Sequence, residues 1–158
     1  MKFVFDHHAL LYMLEQFPQS IATELWTAFV NGCNSEVIVS HREAQKLLEQ
    51  DAVETDSLEW SKKNSSIFKP TTSKEAKLLG EMMEKNIFDF FATPKLIQRR
   101  LPEAIPFILC AAKEQDRVFV FRKYTNIDFA PKIKSICAAY GIECMEVEEC
   151  LLTLKANE

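Results

Sequence analysis

Two rhythms of apolar residues alternate along this chain. Short, wholly apolar runs stand apart from longer stretches in which apolar positions recur every three or four residues. Phe3-Val4-Phe5, Val37-Ile38-Val39 and Val118–Phe121 are runs of the first kind, and they read as strands buried on both faces. Leu10, Leu11, Leu14 and Phe17 fall at helical spacing after the first run, and Leu25, Trp26 and Phe29 begin another helix. Pro18 separates these two helices, Ser20 is a candidate N-cap, and Gly32 is a candidate left-handed stop.

Ser40 and Glu43 have capping-box spacing, which predicts that the second strand ends at Ser40 and passes straight into a helix. The stretch from Thr55 to Ile67 is predicted helical, with Leu58, Trp60 and Ile67 turned to the core. Lys69 to Ser73 reads as a loop. Thr72 and Glu75 form a second capping box, opening a helix with Leu78, Leu79, Met82, Met83, Ile87, Phe90 and Phe91 on its apolar face. Thr93-Pro94 has the form of another helix start. A segment with Pro102 and Pro106 leads to the strand at 118–121, and Lys132 to Tyr140 reads as a helix stopped by Gly141. The run IECMEV reads as a last strand and EECLLTLK as a last helix. Strands alternating with helices in this order imply a parallel sheet covered on both faces, within one domain spanning residues 1–158.

Composition narrows the function. At 158 residues, 47% hydrophobic and 27% charged, the chain has the make-up of an ordinary globular domain. A formal net charge of −4 argues against a general polyanion binder, though not against a local basic rim. No apolar stretch is long enough to cross a bilayer, and Asp6 with the histidines after it interrupts any leader-like segment. The five Cys are odd in number and lack a CxxC pair, so they are expected to be free thiols in a reducing, cytoplasmic setting. With three Gly the chain has no Gly-rich phosphate cradle, and it contains no G-x-S-x-G elbow.

One carboxylate arrangement remains. Asp6 closes the first strand and Glu43 lies just past the second, so neighbouring parallel strands would bring both to one sheet edge. Hard divalent ions such as Mg²⁺ or Mn²⁺ take oxygen ligands, and one or two carboxylates with water and phosphate oxygens suffice. Each acid also has a structural alternative: Asp6 can cap the following helix, and Glu43 can serve the Ser40 capping box. His8 flanks the same edge as a polar side chain or a ligand.

The segments KFVFD, EVIVSxxEA, LEWSKKNSSIF, PFILCAAKEQDRVFVF and KIKSICAAYGIECMEVEECL, in this order, resemble the PIN-domain superfamily. The likeness is nearest to a bacterial PIN-like branch of unknown function, and it spans nearly the whole chain. It implies a three-layer α/β/α fold with a central, mainly parallel sheet of four or five strands. It also implies a metal-dependent ribonuclease, often a toxin with an antitoxin partner, in which Asp6 matches the first acid and Glu43 the second. The chain departs from the pattern elsewhere. Ile105 stands where a third acid is usual, with Glu103 two residues before it. Arg122-Lys123 stand where a further acid or hydroxyl is usual, and His8 replaces a frequent Asn.

Two functions follow. In the first, Asp6 and Glu43 hold Mg²⁺ or Mn²⁺, Glu103 or Asp128 completes the shell, and RNA is cleaved. Arg122 and Lys123 then contact the phosphate backbone, or stand in for the cation by pairing with Asp6. Lys95, Arg99, Arg100, Lys132 and Lys134 read as solvated charge or as a basic face. In the second, catalysis and the cofactor are lost, and the scaffold binds RNA or a protein partner, with a homodimer among its forms.

Overall fold

The structure is a computed structural model that describes residues 1–89, 104–122 and 130–157. Glu103, Lys123, Asp128 and the basic residues Lys95, Arg99 and Arg100 lie outside the described residues, as do Phe90, Phe91 and Thr93-Pro94.

The apolar runs form the strands expected of them. These are β1 (Phe3–Phe5), β2 (Ile38–His41), β4 (Val118–Phe121) and β5 (Cys144–Glu146), and a two-residue β3 (Phe68–Lys69) joins them. All pairings are parallel, in the order β3-β2-β1-β4-β5. The helices are α1 (His7–Leu11), α2 (Thr23–Asn34), α3 (Arg42–Asp51), α4 (Thr55–Lys63), α5 (Ser73–Glu84), α6 (Ile105–Glu114), α7 (Ala130–Tyr140) and α8 (Val147–Ala156). The fold is a three-layer α/β/α sandwich.

The period-two geometry of strands explains the two cores. Phe3, Phe5, Ile38, Val118, Val120 and Met145 face one side, packed with α1, α2 and α8. Val4, Val39, Phe119 and Phe121 alternate to the other side, against α3, α5, α6 and α7. Arg117 closes the amino end, donating from Nη1 to the carbonyls of Phe3, Glu36 and Val37 at 3.2–3.3 Å. Among the described residues no helix is long and apolar enough to cross a membrane.

Several local expectations are corrected. The first helix does not run unbroken to Phe17: α1 gives way to a π-helical turn, Tyr12–Gln16. Ser20 is not the cap of α2, which starts at Thr23 after Ala22 without a side-chain cap. Gly32 does not stop α2. It lies inside the helix, and a Cβ there would come within 2.8 Å of Ile38 Cδ1, so this glycine lets α2 settle on β2. The left-handed residue is Glu36, with φ of 58°, held in place by a salt bridge to Lys69. Lys69 belongs to β3 rather than to a loop. The Thr72 cap is as expected, accepting from Glu75 N at 3.2 Å. Gly141 ends α7 with φ of 67°.

Candidate functional site at the carboxyl edge of the sheet

The chain moves outward from β1 to β2 and β3, then returns to the other side of β1 as β4. The connections diverge between β1 and β4, and in open α/β sheets the crevice beyond the carboxyl ends at such a point is the usual ligand site. Asp6 sits there. Its backbone N–H donates to Val120 of β4 at 3.3 Å, and its side chain is completely buried. The carboxylate caps α1, with Oδ1 accepting from Ala9 N at 2.7 Å. Charge at a helix N-terminus is favourable, which offsets part of the cost of burying it. The capping role foreseen for Asp6 is therefore real.

Glu43 reaches the same edge by way of β2. The pairing of Phe3 with Ile38 and Val4 with Val39, continued along the strands, sets Asp6 beside His41, two residues before Glu43. Glu43 is half-buried in the first turn of α3 and pairs with Lys46 at 2.9 Å. Its presumed capping partner differs from expectation. Ser40 is within β2, and its hydroxyl donates to Phe5 O at 2.7 Å, bolting β2 to β1. His41 is the N-cap instead, its Nδ1 accepting from Glu43 N at 3.0 Å.

The position expected of a third acid is filled by hydrocarbon. Ile105 is fully buried at the start of α6, in the cluster that includes Val4, Val39 and Phe119. Among the described residues, no group of three or more His, Cys, Asp or Glu side chains is placed to share a metal ion. A hard cation such as Mg²⁺ can be held by one or two protein carboxylates when water and phosphate oxygens supply the rest.

Arg122, directly beyond β4, lies with its guanidinium 4.9 Å from the centre of the Tyr12 ring. Tyr12 opens the π-helical turn, a conformation that recurs at functional sites. Desolvation first, then Glu148 as acceptor and as negative charge, raise the Tyr12 pKa, while Arg122 works against them.

The rings of His7 and His8 lie 3.9 Å apart, with His7 wholly buried and His8 half-buried. Neither nitrogen of His7 has a hydrogen-bond partner; Asp51 Oδ2 stands 3.5 Å from Nε2 without bonding geometry. Burial, and secondarily His8, push the His7 pKa down to about 3. All five cysteines are free, and Cys144 alone is not buried.

Sequence reasoning missed His41 and Tyr12. Imidazole is outside the usual set of capping side chains, so Ser40 drew the capping assignment. Tyr12 carries no signal in the sequence, because the π-helical register that presents it is not written in apolar spacing.

The chain belongs to the family described as "Domain of unknown function (DUF4411)", whose profile matches residues 3–157. Neither a curated protein nor a solved structure matches it.

Proposed function

We propose that the carboxyl edge of this sheet is a PIN-like, metal-dependent ribonuclease site, with Asp6 and Glu43 as the protein ligands of Mg²⁺ or Mn²⁺. The observation that carries this reading is the delivery of Asp6 to the β1–β4 crevice with Glu43 in the first turn of α3, directly after the adjacent β2. When bound, such a cation supplies an activated water and neutralises charge on a phosphodiester. Asp6 contributes a carboxylate already oriented by the amide of Ala9. Glu43 contributes one that can leave a surface ion pair, and such pairs are weak enough to exchange. Arg122, directly beyond β4, is the proposed phosphate contact, and Glu103 remains the proposed third acid. A toxin paired with an antitoxin is the biological setting this activity would fit.

The expected result is divalent-ion-dependent cleavage of single-stranded RNA. In Asp6→Asn it should fall roughly a hundredfold or more, since a catalytic cation contributes several kcal/mol. Cleavage that persists in chelator, or in Asp6→Asn, would refute the mechanism.

Ile105 favours a second reading. A hydrocarbon core residue at the third position is what a scaffold that binds RNA or protein without cutting would carry. RNA retained by wild-type protein and by Asp6→Asn alike, with no cleavage under Mn²⁺, is its signature.

A further inference from the structure

We propose that Cys137 and Cys144 are a dithiol site for hydrogen peroxide, which oxidises the pair to a disulfide joining α7 to β5. The inference is independent of the function proposed above.

Two periodicities bring the thiols together. In α7, Ile133, Ile136, Cys137 and Tyr140 recur at helical spacing and form the stripe that packs on the sheet. In β5, Met145 points into the opposite core, so Cys144 points to the side that α7 covers. Its register partner Phe119 lies in the same cluster as Cys137. Between helix and strand Gly141 turns the chain back, and Ile142 N donates to Cys137 O at 2.8 Å. Burial first, then Cys144 as a charge and as a hydrogen-bond partner, raise the Cys137 pKa to about 12.

Access separates the two members. Cys144 is half-buried on β5, the outer strand of the sheet, whereas Cys137 is 1% exposed. The oxidant therefore meets Cys144 first. Its sulfur gives up a proton and attacks one oxygen of the peroxide. The O–O bond breaks, Cys144 becomes a sulfenic acid, and the other oxygen leaves with that proton as water. Burial holds Cys137 as a thiol and spares it this step. Its sulfur then attacks the Cys144 sulfur, the S–O bond breaks, and the hydroxyl leaves with the Cys137 proton as a second water. The two sulfurs lose two electrons and the peroxide gains them. In a reducing compartment a disulfide of this kind is transient, and cellular thiols reverse it.

Proximity without access is also present, as an internal control. Cys33 of α2 and Cys150 of α8 are neighbours in the other core, and both are buried. Cys110 is buried too, with its sulfur 3.7 Å from Met82 Sδ. An oxidant that enters at Cys144 leaves these three reduced.

The test is a thiol count and a peptide map of the intact, reduced chain after brief exposure to hydrogen peroxide. The expected result is loss of two of the five thiols, a Cys137–Cys144 link in the map, and recovery of all five with dithiothreitol. The pair should react roughly tenfold faster or more than Cys33, Cys110 or Cys150. In Cys137→Ser, Cys144 should stop at the sulfenic acid and be trapped by dimedone; in Cys144→Ser no link should form. A sulfenic acid that persists on Cys144 of the wild-type chain, a link between any other two cysteines, or loss of all five thiols at one rate overturns the proposal. The wild-type map decides even if a variant fails to fold.

Discussion

Lowering the pH from 6.5 to 5 is expected to cost this protein about 2 kcal/mol of stability through His7 alone. The native pKa is about 3 against 6.5 for the free side chain, so between these values the unfolded chain binds a proton that the folded one refuses. Stability from this source is complete above 6.5 and declines as pH falls, at about 1.4 kcal/mol per unit, until the native group itself titrates. His7→Leu should remove that dependence. It should also leave stability at neutral pH unchanged or higher, because it replaces two buried nitrogens that have no hydrogen-bond partner. The comparison is urea unfolding of both proteins at the two pH values. An equal acid loss in His7→Leu would show that the ring is solvated.

The second large effect concerns the site that lacks its acid. Ile105→Asp is expected to destabilise the fold by roughly 3–5 kcal/mol, the cost of an uncompensated charge in an apolar core, and to add no affinity for Mn²⁺. Ile105→Val, which removes one methyl, should cost about 0.5–1.5 kcal/mol and calibrate the packing at that point. The reason lies in the neighbours: Ile105 is fully buried in the apolar cluster that includes Val39, Ala44 and Phe119. Near-native stability together with tighter Mn²⁺ binding in Ile105→Asp would mean that the side chain faces the crevice.

Much of the architecture was legible because strands buried on both faces must be apolar throughout. Phe3–Phe5 and Val118–Phe121 carry that requirement openly, and Gly141 marks the end of α7 by the conformation it permits. What escaped was decided by tertiary contact. β3 is two residues long, too short for any periodicity, and exists because it pairs with Ser40 and His41. Gly32 looked like a helix stop, but its purpose is the close approach to Ile38.

The site was half legible, for the same reason. That Asp6 and Glu43 belong to one edge follows from the positions of two strands in the chain, and the sheet order agrees. Which side chains orient them did not follow, since it depends on hydrogen bonds across elements: Ser40 to Phe5, and His41 to Thr71. Glu15 is a parallel case. From the π-helical turn it accepts the amides of Val53 and Glu54 at 3.0 and 2.9 Å, tying down the chain just before α4 from up to 39 residues away.

The two-acid site stands or falls with calorimetric titration of Mn²⁺ into the wild-type chain, Asp6→Asn and Glu43→Gln. Both substitutions keep shape, and asparagine still caps a helix, so lost binding would report lost charge rather than lost fold. The account expects one site in the wild type, weakened roughly tenfold or more by either change, as removing a charged ligand from a hard cation requires. Identical isotherms in the three proteins, or no heat of binding in any of them, would contradict it.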